Sequence, residues 1–347
     1  MTTLAPHRRG PAAVKAAGPR RRLTGLIAAL AALLALLVLS VMIGSTTIPP
    51  STVWDALFHS SADLDQFAIR DYRLPRTVVG LVVGVAFGIS GALIQALTRN
   101  PLADPGVLGV NAGASFAVTV AVGLLGIRDM QGYMWFAFAG ALAVTFMVLA
   151  LGSTRRGRSP AVMVLAGVCV GAVLGGAREA LQLTDPDAFD AMRSWNAGSI
   201  SGRPLDVVWP ILPFVAAALV LAFAVSGPLN SMALGDDMAV AQGARLARTR
   251  ILAIVAVTLL AGGATAIAGP IGFVGLMVPH VARWITGPHQ RWILAYSILL
   301  APSLLLASDI LGRIVVAPGE LPVGIVTAFV GAPVLIAMAR RSKASAL

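Results

Sequence analysis

The 347-residue chain is poor in side chains that carry covalent or metal chemistry. Its four histidines, His7, His59, His280 and His289, are scattered and form no ligand spacing. Cys169 is the single cysteine, so neither an intrachain disulfide nor a cysteine metal cluster can form. Lys15 follows Val14, and Lys343 follows Ser342. A Walker A loop needs a lysine directly after a glycine, because that lysine reaches the phosphates over a glycine-rich turn. The chain is therefore no ATPase of that type, and ATP-driven work would need a separate nucleotide-binding subunit. No catalytic residue and no metal site is read from the sequence. What it has in quantity is arginine, which makes up all but two of the 26 basic residues.

The elements that must position those arginines are apolar. Hydrophobic residues make up 57% of the chain and charged residues only 12%, against about 45–50% and about 25% in soluble domains. Mean hydropathy is +0.85. A soluble enzyme and a disordered chain are both excluded. The net charge of +11 would suggest nucleic acid in a soluble protein. In a membrane protein it reflects basic residues gathered on the cytoplasmic side, and no nucleic-acid role is read.

A membrane helix needs about 20 largely apolar residues to cross roughly 30 Å of hydrocarbon. Nine charge-free runs of 17 residues or more occur between Leu23 and Ala339. The run Ile251–Ala282 is 32 residues long and holds Gly269-Pro270 near its middle. Proline lacks the amide donor and breaks helices, so that run reads as two spans and the total as ten. With a cytoplasmic N-terminus, 18 of the 26 basic residues fall inside and 8 outside. The charge rule then places both termini in the cytoplasm. Residues 1–22 read as a disordered basic tail, 23–341 as one ten-helix domain and 342–347 as a short cytoplasmic tail.

Two spans carry glycine at four-residue spacing: Gly80, Gly84 and Gly88 in the second, and Gly167, Gly171 and Gly175 in the fifth. Each set lies on one helix face and allows close backbone approach. The reading is tight helix packing, or a surface along which helices rearrange. The spans hold little charge: Arg178, Glu179 and Asp309 lie near span ends, and His280 stands alone as a structural residue. Ionisable groups at mid-bilayer mark ion and proton pathways, so an ion-coupled secondary transporter finds little support.

Several segments together resemble a known family. They are Arg73-Leu74-Pro75-Arg76-Thr77, the stretch Gln95 to Gly106 with Asn100, Pro101, Asp104 and Pro105, and Gly109-Val110-Asn111-Ala112-Gly113. Further along stand Gly269 to Gly275, Val278-Pro279-His280, Asp309 to Arg313 and Gly319 to Gly324. In this order they resemble the FecCD family, the permease subunits of type II ABC importers for iron-siderophores, haem and cobalamin. The stretch Thr98–Phe116 is most similar to permeases for ferric enterobactin and related catecholates. The resemblance implies an all-α, ten-span type II permease fold in the bacterial cytoplasmic membrane. It also implies a second permease subunit, more readily a related chain than a second copy, two ATP-binding subunits carrying ATP and Mg, a substrate-binding protein, and a ferric siderophore as cargo. Haem or cobalamin is the alternative cargo. This chain itself would bind no cofactor.

By the family's pattern, Arg73, Arg76 and Arg313 receive carboxylates from the two lobes of the binding protein. A guanidinium fork takes a carboxylate bidentately and keeps its charge. The same arginines could instead anchor helix ends at lipid headgroups, and Asp309 and Arg313, four residues apart, could pair with each other. The segment 230–250 matches the family's coupling segment, with Leu234, Gly235, Asp237, Ala241 and Gly243 as the contacts to the ATPase. Its alternative is an amphipathic loop on the membrane surface. Asp236 and Asp237 suit the first turn of a short helix there.

Overall fold

The computed structural model describes residues 18–44, 47–59, 64–154, 157–158, 160–184 and 186–344. Its helices in chain order are α1 (Pro19–Met42), α2 (Pro50–Phe58), α3 (Leu64–Phe67), α4 (Leu74–Thr98), α5 (Val110–Thr119), α6 (Met130–Gly152) and α7 (Pro160–Thr184). There follow α8 (Pro186–Asn196), α9 (Leu212–Met232), α10 (Asp236–Ala241), α11 (Leu246–Ala268), α12 (Val274–Thr286), α13 (Gln290–Val315) and α14 (Val323–Ala344). A two-residue antiparallel ladder joins Ser153–Thr154 to Gly157–Arg158.

Among the described residues, seven helices are long and apolar enough to cross a membrane. The other three expected spans fall on shorter apolar stretches: Val110–Leu124, Val323–Ala337 and the 13-residue α12, which is about 20 Å long. Glycine and proline set these limits. Gly269, at φ 74°, ends α11, and Pro270 follows it. Pro49 and Pro50 likewise detach α2 from the apolar run that began at Leu23.

Both tail boundaries shift. Helix α1 starts at Pro19, with proline in its first turn, where a missing amide is harmless. Arg20–Arg22 are therefore helical, and the disorder expected of the basic tail lies outside the described residues for 1–17. Helix α14 continues to Ala344, past the expected end of the domain at 341.

Helices α4 and α11 form the centre and are buried over most of their length. Helix α4 packs on α11, α12 and α13, while α5 packs on α6. Its entry is irregular: residues Ala68–Arg73 form a π turn, and the Leu74 amide donates to the Ile69 carbonyl. Pro75 explains this, because it cannot donate and its ring clashes with the preceding turn.

Glycine sets how closely α4 approaches its neighbours. A β-carbon at Gly84 would stand 2.5 Å from the Pro302 Cα, and one at Gly80 would stand 2.7 Å from Leu306 Cδ2. One at Gly91 would overlap the Gly275 carbonyl. The same close approach joins Gly113 of α5 to Gly140 of α6. The second stripe behaves differently. Gly167 meets the Val107 carbonyl, Gly171 makes ordinary contact with Ala112 at 3.7 Å, and Gly175 has nothing within 4 Å. Helix α7 lies at the rim and is largely exposed, and Gly175 packs on nothing among the described residues.

Substitutions at these positions should separate accordingly. Gly84→Ala is expected to cost about 1–3 kcal/mol through overpacking, and Gly91→Ala more, as a lower melting temperature in detergent. Gly175→Ala should stay within about 0.5 kcal/mol of the parent.

Candidate functional site

Two clusters stand at opposite ends of α4, about 37 Å apart for 25 residues. At the end that the charge count places outside, Arg73 and Arg76 from the start of α4 meet Asp309 and Arg313 from the end of α13. Asp309 is 1% exposed and sits between two guanidinium groups. Arg76 Nε donates to both its oxygens at 3.1 and 3.0 Å, and Arg76 Nη2 to Oδ1 at 2.7 Å. Arg313 Nε donates to Oδ2 at 2.9 Å, so the pairing of residues 309 and 313 is made.

The remaining donors hold the end of α1. Arg313 Nη1 donates to the Ser40 and Ile43 carbonyls, both at 2.7 Å. Arg73 Nη1 donates to the carbonyls of Val41 at 3.0 Å and Met42 at 2.7 Å. These are carbonyls that a helix C-terminus leaves without partners, and cations are favoured there. The three arginines are thus not open forks. Arg73, Arg76 and Arg313 are 8%, 7% and 2% exposed, because a guanidinium near hydrocarbon must be paired.

One side of the cluster remains accessible. A cavity of about 310 Å³ is lined by all three arginines, Tyr72, Ser201 and Glu320. Arg76 Nη1 donates to Glu320 Oε2 at 2.6 Å, and Glu320 is 36% exposed. The five groups carry a net charge of +1, moderated by the field of Asp65 on Arg73. Partial burial alone would raise the Glu320 carboxyl, but Arg76, aided by Arg313 and Ser201, outweighs it and holds it below the usual glutamate range.

At the other end, α10 is a single turn and a half. Gly235, at φ 116°, starts it, and Gly243, at φ 82°, follows it. Asp236 accepts from Arg250 at 2.5 Å and from Arg99. One carboxylate therefore ties α10 to the end of α4 and the start of α11. Burial would raise Asp236, but the hydrogen bonds and charges of Arg250 and Arg99 prevail and hold it below the usual range. Asp237, Ala241 and Gly243 are exposed, and Gly235 is half-buried. Leu234, Met238 and Val240, just before and on α10, are apolar side chains 67%, 53% and 57% exposed.

Between these ends, Gln95 joins α4 to α12. Its Nε2 donates to the Gly275 and Leu276 carbonyls at 3.3 and 3.0 Å. Pro279 cannot donate to the Gly275 carbonyl within α12, so Gln95 supplies the missing partner. The sequence reading quoted Gln95 and Pro279 without joining them. It also missed Glu320 and the bridging role of Asp236. Proline four residues after a glycine, inside a helix, was the signal for the first. Among the described residues, no group of three His, Cys, Asp or Glu is placed to hold a metal ion.

Removing Asp309 should be severe. Asp309→Asn leaves two buried guanidinium groups short of charge and is expected to cost about 3–5 kcal/mol. Glu320→Gln, at a half-open pair, should cost less than about 1 kcal/mol. Glu320 and Asp236 both have depressed values in the folded chain. Their contributions are therefore in place above the ordinary carboxylate range, about 3.9–4.3, and are lost as pH falls through the folded values. Melting in detergent from pH 7 to pH 3 should show a loss that Glu320→Gln combined with Asp236→Asn makes shallower.

The geometry can be set beside known proteins. The model of the FecCD transport family matches residues 32–341. The chain is 48% identical over 304 residues to the ferric enterobactin transport system permease protein FepD of Escherichia coli, covering 87% of this chain and 91% of that one. It is 38% identical to YfiZ of Bacillus subtilis, described as a probable siderophore transport system permease protein, over 87% and 91% of the two chains. A metal-chelate type ABC transporter solved in an inward-facing conformation superposes with a TM-score of 0.81 at 24% identity, covering 92% of this chain and 99% of that one. The chain belongs to the FecCD transport family.

Proposed function

We propose that this chain is the membrane-spanning permease subunit of an ATP-driven importer that carries a ferric siderophore across the cytoplasmic membrane. The observation that carries the reading is the 48% identity, over nearly the whole length, to a ferric enterobactin permease. Its multi-pass helical structure agrees, with seven apolar helices of spanning length. No step of covalent chemistry falls to this chain. ATP and Mg belong to two ATP-binding subunits, consistent with lysines that follow no glycine.

The outer cavity is the seat for a substrate-binding protein. A carboxylate entering it meets a cluster of net charge +1 and competes with half-exposed Glu320 for Arg76. Such pairs fix orientation more than they supply affinity. At the cytoplasmic end, Leu234, Gly235, Asp237, Ala241 and Gly243 form the contact to the ATP-binding subunit, and the exposed apolar side chains of α10 supply its apolar part. A second permease subunit covers the rim helix α7, whose Leu165, Val168, Val173 and Leu183 are 63%, 59%, 72% and 84% exposed. A related chain is the preferred partner: among the relatives, the iron dicitrate system of Escherichia coli has two distinct permease proteins, FecC and FecD.

Affinity purification of the tagged chain from its own membranes in mild detergent tests this. The expected result is an ATP-binding subunit and a second permease in the eluate, with vanadate-sensitive ATP hydrolysis. Leu234→Asp should release the ATP-binding subunit and leave the permease pair intact. A chain that repeatedly purifies without any ATPase, yet transports under an ion gradient, overturns the proposal.

A further inference from the structure

A second cavity, of about 320 Å³, opens among the ends of α4, α9 and α12 and the start of α13. Arg99, Arg283, Gln95, Asn230 and Gln290 supply its polar lining, with Leu229 among its apolar neighbours, and none of its lining residues is acidic. Arg283 is half-buried on the last turn of α12. Among the described residues, its one hydrogen bond goes to a neutral partner, Gln95 Oε1, at 3.3 Å. Every other arginine named in the two clusters above has a carboxylate or a row of backbone carbonyls. The amides around Arg283 are already committed: Gln95 to α12, Gln290 Nε2 to the Ala92 carbonyl at 2.9 Å, and Asn230 Oδ1 to the Gln290 amide at 2.8 Å. They hold the walls of the cavity and do not neutralise the guanidinium. A partly buried cation without an anion is costly, and a guanidinium with open donors takes a two-oxygen anion well.

The depth of the cavity identifies the anion. Trp284 follows Arg283 directly and is 55% exposed. Trp292 stands two residues beyond Gln290, and the Arg22 guanidinium lies 5.8 Å from its ring centre. Tryptophan collects at the level of lipid headgroups, and these two lie beside the lining residues Arg283 and Gln290 in the chain, which puts the cavity near the depth of lipid phosphates. Basic pockets between membrane helices at that level bind anionic headgroups. We propose that this cavity seats the phosphate of an anionic phospholipid, with Arg283 as its principal ligand and Arg99 as a second cation shared with Asp236. A lipid there would hold the ends of α4, α9 and α12 together beside α10.

The test uses the purified complex with whatever subunits accompany the chain, stripped of lipid in mild detergent. It is then exposed to vesicles of equal parts phosphatidylglycerol and phosphatidylcholine and weighed by native mass spectrometry. The parent is expected to retain one phosphatidylglycerol per chain. Arg283→Gln should lower that occupancy about tenfold, the loss of roughly one charged hydrogen-bonded contact. Arg283→Lys should fall between the two, and Arg128→Gln, at the far end of the bundle, should match the parent. Melting temperatures show whether the variants fold, and the lysine variant keeps the charge if the glutamine variant does not fold. Equal retention in parent and Arg283→Gln overturns the proposal, as does retention of phosphatidylcholine equal to phosphatidylglycerol. Inorganic phosphate occupying the site with no phosphatidylglycerol retained assigns it to free phosphate and overturns the lipid. Loss of an ATP-binding subunit from Arg283→Gln with the lipid count unchanged gives the seat to a partner carboxylate and overturns it too.

Discussion

The arrangement depends on α4 lying backbone against backbone with α12 and α13. Gly84 against Pro302 and Gly91 against Gly275 leave no room for even a methyl group. Water does not drive helices together inside a bilayer, so close packing and interhelical hydrogen bonds must. Gln95 adds such a bond where Pro279 has removed one. With α4 fixed at this depth, Arg76 reaches Asp309 and Arg73 reaches the last carbonyls of α1 at one end, and Arg99 reaches Asp236 at the other. Both candidate contact surfaces are therefore set by one helix, and a shift of α4 would be felt at both.

The two ends handle charge differently. At the start of α4, the carboxylate shared by Arg76 and Arg313 is almost wholly buried, and the spare donors close the end of α1. Glu320 and the wall of the 310 Å³ cavity are the accessible part of this cluster. The buried part is suited to rigidity and the open part to exchange of partners. At the α10 end, Asp236 is half-exposed and its ties to Arg99 and Arg250 are open to solvent. A surface ion pair contributes little to stability but can fix the pose of a short helix that could not hold itself. The exposed apolar side chains of α10 are thus presented in a defined orientation.

Much of this was legible in the residues. Charge-free runs located the membrane helices, and Gly269-Pro270 marked where the longest run divides. The stripe Gly80, Gly84, Gly88 showed a close approach but not which helix is approached, since spacing names a face and not its neighbour. The stripe Gly167, Gly171, Gly175 looked the same in sequence and differs in place, because α7 lies at the rim. Arg73, Arg76 and Arg313 were recognisable as a set through the family pattern. The pairing of Arg313 with Asp309 was legible from their four-residue spacing, but the partners of Arg76 were not, because Asp309 and Glu320 are 233 and 244 positions away and contacts of that range leave no local pattern. The proline breaks were read as ends of spans, while Pro75 also produced a π turn and Pro279 a carbonyl for Gln95 to bind.

The central claim is that ATP hydrolysed on separate subunits moves a ferric siderophore through this chain. The most direct measurement is uptake of a radio-iron-loaded catecholate into vesicles that contain the purified complex and enclose ATP, with the substrate-binding protein outside. Accumulation is expected to require enclosed ATP and the binding protein and to survive collapse of the proton and sodium gradients. Accumulation without ATP that vanishes when those gradients collapse would contradict the claim.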